Sequence, residues 1–137
     1  MIFNALVVEK DEETGKTSSS VKTIDEKQLP EGDVLVNVEY STVNYKDGLC
    51  LGSGAGLVKN YPHVPGIDFS GTVESSDSDV YRQGDKVILT GWRVGEVVWG
   101  GYAQKARVQS SQLVPLPKGL TTKSAMVMGT AGLSAML

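Results

Sequence analysis

Residues 33–41 read DVLVNVEYS and repeat a valine at every second position. Val34, Val36 and Val38 therefore share one side of an extended chain, which is the pattern of a half-buried β-strand. The segment LPEGD, which ends at Asp33, is a turn of the Pro-Gly kind. This stretch predicts a strand that starts directly after a turn, and it gives the chain its β character.

Further stretches of the sequence have the same strand character and are bounded by turn residues. They lie at residues 2–8, 71–74, 86–90, 102–108 and 113–116. Segments such as SSDSD, RQGD and PLPKG supply the turns between them. Six short strands at this spacing predict an antiparallel sheet curled into a barrel. The 16 glycines fit that architecture, because barrel corners and bulges use them.

A short helix is expected where the β pattern first stops. The stretch NYKDGLCLGSG at 44–54 predicts one or two helical turns that end at Gly52. The glycines of GSGAG at 52–56 lack the spacing and the preceding strand of a phosphate-binding turn. We therefore interpret GSGAG as a loop.

The segment from Thr121 onward has a different composition. It reads TTKSAMVMGTAGLSAML, and Thr121 or Thr122 can serve as the N-cap of a helix. Gly129 and Gly132 should divide this helix or end it before a second one begins. Because the segment is apolar nearly all round and uncapped at Leu137, something further should bury it. We expect the sequence to be the N-terminal piece of a longer polypeptide.

Composition limits the partners and the location of the protein. The chain has 137 residues with 13 basic and 16 acidic side chains, a formal charge of −3, and no stripe of Lys and Arg, so no nucleic-acid partner is expected. Its N-terminus, MIFNALVVEKDEE, lacks the basic region of a signal peptide and the length of a membrane span. We expect a single barrel domain in a cytoplasmic protein without a membrane partner.

The sequence offers few ligands for a transition metal. Cys50 is its one cysteine and His63 its one histidine, whereas a zinc site uses about three or four N, S or O ligands. We therefore predict no metal site. The same cysteine count excludes an internal disulfide.

Several longer pieces of the sequence occur together in one family, in this order. They are LPEGDVLVNVEYSTVNYKDGL, PHVPGIDFSGTV, GDKVILTGW, GGYAQKARV and GTAGLSAML. They resemble the N-terminal catalytic domain of the medium-chain dehydrogenase/reductase superfamily. NYKDGL and LTGWRVGEVVWGGYA are similar more narrowly to its zinc-free, quinone-oxidoreductase-like branch, which contains acrylyl-CoA reductases.

The resemblance implies a mainly β fold with two parts. Residues 1–122 would form a GroES-like catalytic domain, a partly open antiparallel β-barrel with short helices. Residues 123–137 would begin a helical linker to a nucleotide-binding Rossmann domain. The Gly-rich phosphate-binding motif of such a domain, G-x-G-x-x-G, does not occur in this sequence.

The resemblance also implies a reaction. Zinc-dependent relatives place a cysteine where this chain has Asn44, and a His-Glu pair where it has Ile67 and Asp68, so no zinc is expected. Without a Lewis acid, alcohol oxidation becomes hard, but an alkene conjugated to a carbonyl can still accept hydride, because hydrogen-bond donors stabilise the enolate oxygen. The chain would then be part of an NAD(P)H-dependent reductase of small molecules: quinones, activated alkenes or short enoyl-CoA thioesters such as acrylyl-CoA.

The implied cofactor is NADP(H), with NAD(H) as the alternative, and homodimers are common in the family. A second hypothesis, from another class, is a stand-alone GroES-like β-barrel that binds a partner without catalysis. Fold analogy alone permits that reading.

Three residues take roles from the resemblance. Tyr45 would lie beside the nicotinamide and donate a hydrogen bond or the proton, which makes it the candidate catalytic residue; the alternative is a core tyrosine. Asn44 would bind the ribose of the cofactor or a carbonyl oxygen, or else cap the short helix. Thr130, in GTAG, matches the position whose hydroxyl or backbone approaches the nicotinamide amide.

Other polar and aromatic residues have less specific expectations. Asp68, within HVPGIDFSG, costs free energy unless bonded; we expect backbone N–H groups of a tight turn to satisfy it, or else that it orients groups behind the site. Asp47 should form a structural bond near the helix N-terminus, and Lys46 should face solvent. Trp92 and Trp99 would line a pocket or pack the barrel.

Overall fold

The computed structural model describes residues 1–136, apart from the side chain of Leu133. Within this part the chain forms seven strands and two α-helices. The strands are β1 (Ile2–Lys10), β2 (Thr17–Asp25), β3 (Val34–Ser41), β4 (Asp68–Ser76), β5 (Lys86–Thr90), β6 (Lys105–Val108) and β7 (Val114–Pro115). The helices are α1 (Tyr45–Leu51) and α2 (Thr122–Met136), and single 3₁₀ turns occupy Glu26–Gln28 and Ser110–Gln112.

The strands form two antiparallel sheets that meet along β1. The larger sheet has the order β6-β3-β4-β5-β7, and β1 pairs with β2 in a separate hairpin. Isolated bridges from Ala5 to Ala103 and from Val8 to His63 join this hairpin to the rest of the barrel. The predicted mainly β, open antiparallel architecture is confirmed.

The core explains why β3 organises the fold. Val34 and Val36 are fully buried in one apolar cluster with Phe69 of β4 and Leu89 of β5. Leu35 faces the other way, into a second cluster that includes Phe3 of β1. Both sides of β3 are therefore buried at this point, and each such side chain contributes on the order of 1.5–3 kcal/mol of transfer free energy.

The predicted strands are found, but their number is wrong. Each predicted stretch overlaps an observed strand, and 86–90 matches β5 at both ends. The sequence reading missed β2, whose side chains are almost all exposed and whose run of serines and threonines carries no core-facing pattern. The prediction also began β6 too early, at residue 102, because the strand starts at Lys105 and Ala103 makes only an isolated bridge to Ala5 of β1.

Glycines mark the end of α1 and a break within α2. Helix α1 ends with Gly52 at its C-cap, as predicted. In α2, Gly129 is non-helical, with φ 50° and ψ −163°, so it divides the helix as expected, whereas Gly132 does not interrupt it. Thr121 is the N-cap, because its hydroxyl accepts the Ser124 N–H at 3.0 Å. None of the helices within residues 1–136 has the length and apolar character to cross a membrane.

Candidate functional site

A buried carboxylate lies where β4 begins. Asp68 is 0% exposed, and it accepts hydrogen bonds from the Thr42 hydroxyl at 2.9 Å and the Asn44 side-chain amide at 3.3 Å. The backbone N–H of Thr130 donates at 2.9 Å, and the Thr130 hydroxyl donates as well. The expectation that neighbouring turn N–H groups satisfy Asp68 is wrong, because the donors come from the β3–α1 connection and from α2. Its alternative, an orienting group, fits these contacts.

Asp47 caps the short helix from within. Its carboxylate, also 0% exposed, accepts the backbone N–H of Asn44 at 2.9 Å and that of Ile67 at 2.9 Å. Both bonds hold backbone donors that would otherwise lack partners. The predicted structural role of Asp47 near the helix N-terminus is confirmed. Its bond to the Ile67 N–H also holds the residue that directly precedes Asp68.

Asn44 connects the two carboxylates. It occupies the N-cap position of α1, and its side-chain amide donates to the Thr42 hydroxyl oxygen at 2.7 Å, to Asp47 at 3.2 Å and to Asp68 at 3.3 Å. These contacts fix the amide nitrogen toward the interior. Asn44 shares a capping box with Asp47 of α1, so its side chain is held both by the start of the helix and by the cluster, and the predicted helix-capping alternative is found. Its contact with a cofactor stays a prediction.

Thr130 of α2 donates to the same carboxylate. It begins the second part of α2, directly after Gly129. A Cβ atom at Gly129 would lie 2.9 Å from Thr42 Cγ2 and 3.0 Å from Asp68 Oδ2, closer than side chains pack. The glycine therefore permits the close approach of α2. The structure thus brings two of the three predicted site residues, Asn44 and Thr130, onto one carboxylate oxygen.

Tyr45, the third predicted site residue, points away from the core. It is the first residue of α1 and is 83% exposed. The alternative of a core tyrosine is therefore wrong for this chain. Lys46, the next residue, is also exposed and lies 3.7 Å from Glu96, as expected for a solvent-facing side chain. Neither observation tests a catalytic role for Tyr45.

Two residues of the cluster were missed by the sequence reading. Thr42 donates its hydroxyl to Asp68, and its carbonyl accepts the Tyr102 hydroxyl at 2.7 Å. Burial, followed by the charges of Asp47 and Asp68, raises the pKa of Tyr102. The one available signal was position: Thr42 lies in STVNYKDG, between a strand end and a helix start, where polar side chains cap backbone groups.

The two tryptophans differ. Trp99 packs against the cluster around Leu35 and donates its ring N–H to the Pro62 carbonyl at 3.0 Å, so it belongs to barrel packing. Trp92 is 62% exposed and has a positive φ of 60°. The packing alternative is therefore right for Trp99 and wrong for Trp92.

The one cysteine and the one histidine are both buried. Burial is the largest cause that raises the pKa of the Cys50 thiol, to about 11. His63 is 1% exposed, and its Nε2 lies 2.8 Å from the Gly95 carbonyl oxygen. Across residues 1–136 no three His, Cys, Asp or Glu side chains are grouped so that they could hold a metal ion.

An apolar cleft runs beside the Asp68 cluster. Its volume is about 170 Å³, and β5 and α2 form its walls. The lining residues are Ile88, Thr90, Leu120, Ser124, Ala125, Met128 and Gly129. Thr90 pairs with Asp68 in the β4–β5 register, so this cleft adjoins the cluster.

The family is shown by comparison with known proteins. The model of the alcohol dehydrogenase GroES-like domain matches residues 30–118, more than half of the chain. This chain belongs to the alcohol dehydrogenase GroES-like domain family. The predicted GroES-like barrel and the predicted kinship with the medium-chain dehydrogenases and reductases are confirmed.

Relatives of this GroES-like domain are oxidoreductases by name. The chain is 66% identical to the acrylyl-CoA reductase AcuI of Ruegeria pomeroyi, over 99% of this chain and 41% of that protein. The yhdH oxidoreductase of Salmonella enterica, solved in complex with NADP, has a TM-score of 0.92 and 47% identity over 97% of this chain and 40% of its own. The yhfP protein of Bacillus subtilis with NAD bound has a TM-score of 0.93 and 44% identity over 98% and 40%. The chain thus spans about two fifths of the length of these relatives.

Proposed function

We propose that this chain is the N-terminal part of an NAD(P)H-dependent, zinc-independent reductase. Residues 1–122 would be its catalytic domain, and 123–137 would begin the linker to a nucleotide-binding domain. The substrate would be acrylyl-CoA or another short enoyl-CoA thioester, with quinones and activated alkenes as further candidates. The observation that carries this proposal is the convergence of Asn44 and Thr130 on the buried carboxylate of Asp68, in a chain 66% identical to an acrylyl-CoA reductase.

The cluster suits the nicotinamide end of a dinucleotide. The Thr130 hydroxyl gives its hydrogen to Asp68, so toward a ligand it offers an oxygen that accepts hydrogen bonds. A carboxamide N–H is a matching donor. The apolar cleft between β5 and α2 would take the flat face of a ring system. We propose NADP(H) as the cofactor, with NAD(H) as the alternative, since relatives were solved with each.

The residues of this chain would then position the cofactor and the substrate and supply the proton. The bound cofactor supplies hydride. Tyr45, exposed at the start of α1, would donate a hydrogen bond to the developing enolate oxygen or a proton to the adjacent carbon. Asn44 already donates its amide hydrogens within the cluster, so it would meet a ribose hydroxyl through its Oδ1, as an acceptor. The hydrogen bonds of Asn44 and Thr130 to Asp68 would hold these groups in place.

The test is a substrate survey with the full-length protein. Oxidation of NADPH and NADH is followed at about 340 nm with quinones, enones and short enoyl-CoA esters. We expect turnover with at least one class, highest for the enoyl-CoA esters, and none from residues 1–137 alone. Absence of turnover with every class would contradict the proposal. The stand-alone binding module has less support, because the relatives are named as oxidoreductases.

A further inference from the structure

The two oxygens of Asp68 have different partners in the described residues. Oδ2 accepts the Thr42 hydroxyl, the Asn44 amide and the Thr130 backbone N–H. Oδ1 accepts the hydroxyl of Thr130. The first set contains two N–H groups, which can only donate, so the Oδ2 position must always hold an acceptor. The Oδ1 position faces a hydroxyl, which can donate or accept.

That difference decides which way the Thr130 hydroxyl points. A hydroxyl has one hydrogen, and a carboxylate oxygen at Oδ1 takes it. Thr130 is only half-buried, so its oxygen can still meet a ligand, but only as an acceptor. The fully buried Asp68 has no such access, and it acts through Thr130.

We infer that Asp68 is a positioning residue that fixes the Thr130 hydroxyl as a hydrogen-bond acceptor, so that the site selects a ligand N–H over a ligand carbonyl. This inference rests on the proposed function, in which the ligand group is the carboxamide of a reduced nicotinamide. It assigns a task to Asp68 that differs from stabilising the fold: the carboxylate sets the polarity of one hydrogen bond at the surface of the site.

The variant Asp68→Asn reverses that polarity while keeping the shape. Three donors face Oδ2, so the amide oxygen of the new side chain must take that place, because leaving them unsatisfied is costly. The amide nitrogen then lies at the Oδ1 position and donates to the oxygen of Thr130. The Thr130 hydroxyl must turn its hydrogen outward, and the site now offers a donor.

Equilibrium binding to the full-length protein reads out this change without turnover. The two probes are NADPH and its reduced acetylpyridine analogue, in which an acetyl carbonyl replaces the carboxamide and no N–H is present. We expect the unchanged protein to bind NADPH about tenfold more tightly than the analogue, the size of one hydrogen bond lost to an acceptor that the bound ligand covers. Asp68→Asn should reduce this preference to about onefold or invert it.

Two further variants separate the inference from general damage. Thr130→Val should also abolish the preference, and combining it with Asp68→Asn should add nothing further, because both act on the same hydroxyl. The matched control is Asp33→Asn. The carboxylate of Asp33 accepts the N–H and hydroxyl of Ser110 at 2.6 and 2.8 Å. Asp33 directly precedes β3, whereas Asp68 lies beside Ser41 at the far end of that strand, about 25 Å of strand away. This variant should keep the tenfold preference.

The outcomes are distinct. If the unchanged protein binds neither NADPH nor NADH, the proposed function fails, and the inference fails with it; if it binds only NADH, the same comparison is made with NADH and its acetylpyridine analogue. If the protein binds NADPH but Asp68→Asn keeps the full preference, the inference is overturned and the proposed function stands. An equal loss of preference in Asp33→Asn would also overturn it, since the effect would then come from loosened structure.

Discussion

Asp68 and Thr130, separated by 62 positions in the sequence, are joined by two hydrogen bonds, from the backbone N–H and from the hydroxyl of Thr130. This link fastens the start of β4 to the second part of α2. Asn44 reaches the same carboxylate from the start of α1. Three separate elements therefore meet at one buried carboxylate. Displacing any of them should disturb the hydrogen bonds of Asp68.

Replacing Gly129 with alanine should break this meeting point. The residue has a positive φ, and its Cβ would lie 2.9 Å from Thr42 Cγ2 and 3.0 Å from Asp68 Oδ2. We expect Gly129→Ala to lower the free energy of unfolding by about 2 kcal/mol, from backbone strain and the displaced contacts. Urea denaturation followed by circular dichroism measures this.

The matched control for that variant is Gly48→Ala. Gly48 lies within α1, and a Cβ there would meet nothing within 4 Å. Alanine should be neutral or raise the free energy of unfolding by about 0.5–1 kcal/mol, because glycine is a poor helix former. Equal unfolding midpoints for Gly129→Ala and the unchanged protein would contradict the steric argument.

Tyr45→Phe in the full-length protein removes the phenol and little else, because the side chain is 83% exposed and contributes little to packing. We expect kcat/KM for the preferred substrate to fall at least about tenfold, from loss of a hydrogen-bond or proton donor. Tyr40→Phe, at another exposed tyrosine on β3, should leave the rate unchanged. If Tyr45→Phe alters neither kcat/KM nor cofactor affinity, both proposed roles of Tyr45 are lost.

The thiol of Cys50 should be unreactive in the folded protein. It is 0% exposed, and burial raises its pKa to about 11, so about one molecule in a thousand carries a thiolate near pH 8. Ellman's reagent should label no thiol of this chain within minutes under native conditions, and one in about 6 M guanidinium chloride. Rapid native labelling would show that Cys50 is accessible.

Acidification should destabilise the chain through His63. Burial lowers the pKa of His63 below its ordinary value of 6.5, so at mildly acidic pH the unfolded state binds a proton that the folded state does not. Stability from this group is therefore full above about pH 6.5 and declines below it. Unfolding free energies at about pH 7.5 and about pH 5.5 measure the slope.

His63→Gln provides the comparison for that slope. Glutamine can still donate to the Gly95 carbonyl, the partner of His63 Nε2, but it does not titrate. The variant should lose less stability than the unchanged chain over the same pH interval. Identical slopes would mean that His63 titrates alike in the folded and unfolded states.

The sequence predicted the elements whose residues carry a local pattern. The valines of β3 and the capping glycine after α1 lie in recognisable spacings, and both were found. Strand β2 was missed because it is held by pairing with β1 along its whole length, while its exposed serines carry no periodicity. The stability of β2 comes from its pairing with β1, and a short stretch of sequence around β2 does not reveal that pairing.

The candidate site also has features that the sequence shows and contacts that only the fold creates. Asp68 could be recognised as a carboxylate in need of partners, yet its donors lie 24 to 62 positions away, and only folding brings them together. Thr42 is ordinary in sequence and central in space. Asn44, Tyr45 and Thr130 came from family resemblance, and the structure adds that two of them share one acceptor.

The proposed reductase would transfer hydride from a dinucleotide with hydrogen-bonding side chains and without zinc. The most direct measurement is the rate of NADPH oxidation with acrylyl-CoA by full-length protein after exhaustive chelation, with zinc content determined on the same sample. We predict an undiminished rate with far less than one zinc per chain. Stoichiometric zinc, whose removal abolishes turnover and whose return restores it, would contradict a zinc-independent reaction.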